Sequence, residues 1–600
     1  MNIRIKIFFS LFVVSFLECY STTHSIHFSD FKFLRNRDQK NGINITVDSH
    51  LNNVGKQFQI DNIHPKKIDA VLMNGKIAQY ENDSVYYING HLIIKNGKIK
   101  AITKSKIKIE KLIKHRKKFG LIDVMDLKGA YVYPGFIDAH AHFLHQGIAL
   151  NSINLLGTKS WEECIERVKH FVKKNPNKKV YRGQGWDQND WESKEFPNNS
   201  NLESITDKPI ILSRIDGHAI LANSKALKIS KIDINTEING GEIIKNNENL
   251  TGLLIDNAQS LLTIQEPNNQ EKSEALLAAQ EKAFQFGLTG IHDAGLPSKD
   301  IMLIDTLQRK QKLKIPLYIM VSESEDELNY WLNNGPLKTK LIDVRSFKFY
   351  SDGALGSRGA LMRKPYSDRE NHFGSEIRSF DYMLSAAERI ANNGWQMNTH
   401  CIGDSANRRM LNIYQLFIDK LKKNDLRWRI EHAQVVHPKD RIAFGLGIIP
   451  SVQPSHATSD MNWAINRLGP ERILYAYSYL TLREVSGGIL PLGTDFPVES
   501  MNPLNTFYSA IYRKSMHDKS QPTFQIQQAL SREQALIGMT RDPAYASFQE
   551  NEVGQIKIGM WANFTIFTSD ILKCPQESIS ELKVLQTWVH GELVYMFDKK

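Results

Sequence analysis

Residues 131–142 read Tyr-Val-Tyr-Pro-Gly-Phe-Ile-Asp-Ala-His-Ala-His, an apolar, β-prone run that stops on His140 and His142. Along a strand, residues two apart point to the same side. Both imidazoles therefore leave the strand end together, as two ligands of one cation do. Taken alone, the pair is equally well explained as ordinary core or surface histidines. Further along, other polar residues end or interrupt short apolar runs: Lys348 between Phe347 and Phe349, His400 after Asn398-Thr399, His432 after Ile430-Glu431, and Asp495 after Leu492-Gly493-Thr494. Four imidazoles and a carboxylate suit a borderline metal such as zinc. Lys348 is the odd member, because a lysine between two phenylalanines is costly to bury charged. Either it snorkels or pairs with an acid, or CO₂ carbamylates it into a carboxylate able to bridge two metals.

Such a set needs a scaffold that gathers strand ends. After His142, helical periodicity (Trp161–Lys174, 273–286, Phe380–Asn392) alternates with β-prone runs at 210–215, 290–292, 316–321, 347–349, 397–400, 429–431, 448–452 and 489–492. Strands separated by helices predict a parallel sheet, and this many units predict an α/β fold, a (β/α)₈ TIM-like barrel at 134–550, whose C-terminal strand ends converge on an active site. The strand count exceeds the need, so the earliest runs are assigned to an insertion at about 146–267. Short strands with turn signals before and after predict a flanking small β-sandwich built from both chain ends, 67–133 and 551–600. Asn74-Gly75 and Asn96-Gly97 read as hairpin turns, and residues 589–594 have the same look.

The composition, 41% hydrophobic and 24% charged over 600 residues, is that of a globular protein too large for one small core. The net charge of +11 peaks in density at 104–118, without the aromatic interleaving of a nucleic-acid binder. Four cysteines without a Cys-x-x-Cys make no disulfide framework. Arg4 and Lys6 precede a short apolar stretch, so residues 1–25 read as a signal peptide and 26–66 as a flexible lead-in. No later segment approaches twenty apolar residues, which predicts a secreted or periplasmic chain with no stable membrane span.

Further motifs follow in order: Gly183-Gln184-Gly185-Trp186-Asp187, Asp216-Gly217-His218, Asp352-Gly353-Ala354-Leu355-Gly356-Ser357-Arg358-Gly359, His400-Cys401-Ile402-Gly403-Asp404, Gln453-Pro454-Ser455-His456 and Gly493-Thr494-Asp495-Phe496-Pro497. Ser357 is not a nucleophile elbow, because Leu355 stands where the first glycine is needed. With Pro134-Gly135-Phe136-Ile137-Asp138-Ala139-His140-Ala141-His142, the set resembles the amidohydrolase superfamily and, within it, the YtcJ-like branch (amidohydrolase family 3), over about residues 68–598. Cys401 departs from the alanine of many relatives.

The resemblance implies a centre holding one or two divalent ions, zinc foremost. His140, His142 and Asp495 would hold one, His400 and His432 the other, with a carbamylated Lys348 bridging. It further implies Asp495 as general base and His218 as a donor to the developing oxyanion, although a buried structural histidine explains His218 equally well. Trp186, Asp187, Asp352, Arg358 and His456 are the pocket candidates, Trp186 as an apolar wall. The expected reaction is metal-assisted hydrolysis of a non-peptide C–N bond, an amide or N-substituted formamide. An ester, lactone or cyclic imide on the same site, or a non-catalytic relative, are the alternatives. The expected partner is a small-molecule substrate, with a homo-oligomer left open.

Overall fold

The computed structural model describes residues 69–117 and 122–598, apart from 218, 239–240, 247–248, 265–266, 422–424 and 519, together with two short strands nearer the N-terminus. Those two, Lys32–Asn36 and Asn44–Asp48, pair antiparallel with Lys32 opposite Asp48. They lie in the stretch expected to be an irregular lead-in, and Ile45, Thr46 and Val47 supply the β-branched residues that favour pairing. The expected signal peptide lies outside the described residues.

Seven parallel strands form the centre of the chain. They are β1 (Phe136–Ala141), β2 (Leu288–Leu296), β3 (Leu317–Ser322), β4 (Ile342–Tyr350), β5 (Gln396–Cys401), β6 (Arg429–His432) and β7 (Ile449–Ser451), each paired with the next in that order. Helices Ser298–Arg309, Glu325–Asn334, Phe380–Asn392 and Asp404–Leu421 make successive crossovers. Nearly every residue of these strands is buried, the polar Gln396, Asn398, Arg429 and Glu431 of β5 and β6 included, because a parallel sheet is covered on both faces.

The ring closes through residues 489–495, of which 489–492 were expected as a strand. Here only Leu492 forms a bridge, opposite Val452 just after β7. Ala139 donates to the Leu492 carbonyl at 3.2 Å and Asp495 to the His140 carbonyl at 2.7 Å. The segment is too short and bent for a regular ladder, yet it brings Asp495 beside the end of β1. Gly493 makes this approach feasible: a Cβ there would sit 2.6 Å from the His140 nitrogen.

The insertion is a separate six-stranded sheet spanning Ile153–Asn154 through Asn249–Asp256, packed around Leu155, Val168, Trp186 and Leu212. It absorbs the surplus strand, Ile210–Arg214. Both chain ends contribute to a third, eight-stranded sheet in which Tyr131–Pro134 lies beside Phe564–Phe567. That sheet curls back on itself, since Ile99 exchanges hydrogen bonds with Gly559 and Met560, burying Leu72, Ile77, Leu92, Val132, Phe564 and Trp588.

Asn96 and Gly97, both at positive φ, make the expected two-residue hairpin turn, and His590-Gly591 makes another. Asn74-Gly75 does not turn the chain. It is a bulge inside the long strand Asp69–Glu81, and it divides the partner of Ile122–Asp126 from that of Tyr131–Pro134.

Candidate metal centre

Each expected ligand stands toward the C-terminal end of a barrel strand: His140 in β1 and His142 just after it, Lys348 in β4, His400 in β5, His432 on β6 and Asp495 on the closing segment. The structure brings all six together. The ligand atoms of His140, His432 and Asp495 all lie within 4.8 Å of one another. His142 Nε2 is 3.2 Å from Asp495 Oδ1, and the His400 ring is centred 4.5 Å from that of His432. Lys348 Nζ is 3.4 Å from His140 Nε2. The tightest trio therefore cuts across the division into two ligand groups that the resemblance implies.

The neighbours determine which atom each histidine offers. His140 Nδ1 faces Glu431 Oε2 at 2.5 Å and His432 Nδ1 faces Gln453 Oε1 at 2.8 Å, so Nε2 is left for the centre in both. His400 contacts the Gly353 carbonyl through Nε2 at 3.4 Å, which leaves its Nδ1. Burial, with help from the Lys348 charge, pushes His140 down to about 4 and His400 to about 3. These two imidazoles are thus neutral, as metal ligands are.

Burial also lowers the Lys348 ammonium, against the pull of Glu431 and Asp495. Asp495 stays ionised. Burial opposes its charge, but the imidazoles of His142 and His456 close beside it hold its carboxyl well below the usual range.

Asp495 Oδ1 is buried without a hydrogen bond of good geometry, although two imidazole nitrogens lie within 3.5 Å of it. Converging lone pairs around an orphaned anionic oxygen fit a divalent cation, and the N/O donor set fits zinc. Asp495 (φ 63°) and His432 (φ 72°) both occupy the left-handed region. For non-glycine residues that costs on the order of 1–3 kcal/mol each, a cost typical of functional sites.

The remaining candidates are placed as follows. His456 spans two carboxylates, with Nε2 3.2 Å from Asp495 Oδ2 and Nδ1 3.3 Å from Glu499 Oε1. Asp352 is buried under the loop after β4 and accepts from the Leu361, Ile402 and Gly403 amides. Arg358 is committed to Asp368, which also binds Arg467. Trp186 is fully buried in the insertion, donating to the Leu212 carbonyl, and Asp187 pairs with Arg214 at 2.5 Å. His218 lies outside the described residues.

Several residues of the site were not singled out from the sequence. Glu431 and Arg429 lie side by side within β6, both fully buried. Two opposite charges at i and i+2 in an apolar strand were the available signal. Asp293 lies within β2, one residue beyond the run expected to stop at His292. It caps the helix Phe143–Leu150 by accepting from the Phe143 amide at 3.0 Å, while its Oδ1 is buried without a partner. Gln453 sat within the motif Gln453-Pro454-Ser455-His456 without an assigned role, and Glu499 lies two residues beyond the motif that ends at Pro497.

The amidohydrolase family profile matches residues 123–595. The chain is 30% identical over 482 residues to YtcJ of Bacillus subtilis (strain 168), a match covering 78% of this chain and 90% of that protein. It is 24% identical over 496 residues to the N-substituted formamide deformylase of Arthrobacter pascens, covering 79% and 90%. Among solved structures, an uncharacterized metal-dependent hydrolase from Pyrococcus horikoshii OT3 superposes with a TM-score of 0.71 at 26% identity, covering 85% of this chain and 99% of that one. With a matched profile across most of its length and a histidine–aspartate centre at the barrel mouth, this chain belongs to the amidohydrolase family and is a metal-dependent hydrolase.

Proposed function

We propose that the chain hydrolyses a small-molecule C–N bond other than a peptide bond, an amide or N-substituted formamide, with Asp495 as general base. The observation that carries this reading is Asp495 Oδ1, ionised, buried and orphaned amid the Nε2 atoms of His140 and His142. His140, His142, His400, His432 and Asp495 would hold the metal, one or two zinc ions, joined by Lys348 once its amine takes up CO₂. Zinc so held polarises a carbonyl oxygen and brings the pKa of water to near neutrality.

The chain's own groups manage the protons. Asp495 Oδ1 accepts a proton from the attacking water and returns it to the leaving nitrogen, so that amide and water become acid and amine. His456 holds the other oxygen, Oδ2, and keeps the carboxylate turned toward the histidines. His218 serves as oxyanion donor in this scheme. The formamide deformylase among the relatives supports the choice of bond. The basic and apolar N-terminus supports an exported enzyme, and among the described residues no helix is long and apolar enough to cross a membrane.

The test is a panel of N-formyl and N-acyl amines alongside matched esters, assayed with the zinc-loaded protein. Release of amine from at least one N-formyl or N-acyl substrate, at a higher kcat/KM than its ester, is expected. Turnover confined to esters, lactones or imides would overturn the proposal.

A further inference from the structure

Beneath the histidines lies a buried charge network that takes no direct part in the proton steps above. Arg429 is completely buried, and its guanidinium reaches four barrel strands. It donates to the Ala139 carbonyl of β1 at 2.5 Å, to His292 Nδ1 of β2 at 3.0 Å and to Ser451 Oγ of β7 at 2.9 Å. On its own strand, β6, Nη2 donates to Glu431 Oε2 at 3.1 Å, and Nε lies 2.6 Å from Oε1 in a contact too bent for a hydrogen bond. Glu431 Oε2 in turn meets His140 Nδ1 at 2.5 Å. Arg429, Glu431 and His140 are all 0% exposed.

From this geometry we infer that Glu431, held in place by Arg429, is a positioning residue that selects the His140 tautomer and so makes Nε2 the atom offered to the metal. A carboxylate fixed by a guanidinium can only accept, so the His140 proton must lie on Nδ1. Nε2 then carries a lone pair, which suits both Lys348 Nζ at 3.4 Å and the centre beyond. With the proton on Nε2, a donor would face the lysine amine and block the ligand position. Arg429 also keeps Glu431 from becoming a ligand itself, since both carboxylate oxygens already face the guanidinium. Because Arg429 holds the Ala139 carbonyl as well, it sets the height of the next residue, His140. The inference rests on the metal-centre reading but not on which bond is cleaved.

The experiment measures the zinc affinity of the full-length protein by competition with a chromophoric chelator, alongside its thermal midpoint. Glu431→Gln conserves shape but can present an amide N–H to Nδ1. Zinc affinity is expected to fall by about 10- to 100-fold, the range for removing the partner of a ligating histidine, while Glu431→Asp recovers part of the loss. Affinity within threefold of the parent in a folded Glu431→Gln protein overturns the inference. A second test needs no variant, should the substitution prevent folding. A crystal structure of the zinc-loaded parent is expected to show the ion on His140 Nε2 with Glu431 still on Nδ1. An ion on Nδ1, or bound directly by Glu431, overturns the inference. If the amine panel fails while these results hold, the proposed bond is wrong and the positioning role stands.

Discussion

His456 holds the second oxygen of Asp495, with Nε2 3.2 Å from Oδ2, while Glu499 takes its other nitrogen. One imidazole thus anchors the proposed base. Replacing His456 with Asn should leave metal content near that of the parent, because no ligand is lost. It should lower kcat by about 10- to 100-fold as Asp495 swings off its line. Metal analysis with steady-state kinetics checks both parts, and an unchanged kcat would remove the anchoring role.

Asp495 itself makes a sharper case. Asp495→Asn keeps an oxygen for the centre but cannot accept a proton. Turnover should drop by about 10²- to 10⁴-fold, the contribution typical of a general base, while most of the metal is retained. Elemental analysis of the purified variant beside its activity decides the matter. Turnover near the parent level would exclude Asp495 as base.

The closing segment has almost no room. A Cβ on Gly493 would come within 2.6 Å of the His140 amide nitrogen, a backbone atom that cannot step aside. Gly493→Ala should destabilise the protein by about 1–3 kcal/mol, as overpacking does, and should also lower metal retention because Asp495 follows two residues later. Denaturant unfolding and metal content measure the two effects. A variant of parental stability would show that the segment is more pliant than its contacts imply.

Away from the metal, His590 stacks on Trp561 in the flanking sheet, their ring centroids 4.3 Å apart, with Nδ1 buried and unpartnered. Burial, aided by Lys340 and Lys98, pushes its pKa down to about 3. Because the folded value lies below the unfolded one of about 6.5, the stabilisation is complete above pH 6.5 and is lost as pH falls from there toward 3. Between pH 7.5 and pH 5 the parent should lose about 2 kcal/mol through this residue. His590→Asn, which tolerates the positive φ at this position, should flatten that part of the profile. Thermal midpoints of both proteins across this range check it, and parallel curves would remove His590 as the source.

What could be read in advance follows from local rules. Periodicities of two and about 3.6 residues marked the strands and helices of the barrel, and the helices Trp161–Lys174 and Phe380–Asn392 fall where their apolar stripes end. Asn96-Gly97 turned as its chemistry requires. Polar residues at the ends of apolar runs identified His140, His142, Lys348, His400, His432 and Asp495, because a parallel barrel leaves strand ends as the places where polar groups can gather.

Other features depended on contacts between distant segments. Asn74-Gly75 carries the same dipeptide signal as Asn96-Gly97, yet it became a bulge because its strand is long enough to serve two different parallel neighbours. Trp186 and Asp187, read from the sequence as pocket residues, owe their surroundings to distant contacts, one lying in an apolar core and the other against Arg214.

By itself, then, the sequence determined the barrel, its two-ended companion sheet and the residue types able to grip a cation, since each is written in spacing along one segment. Only the tertiary structure decided which nitrogen each histidine presents and which residues hold it there. Glu431, Gln453 and Arg429 act across strands 21 to 291 residues away from their partners, and no local pattern encodes the direction of a lone pair.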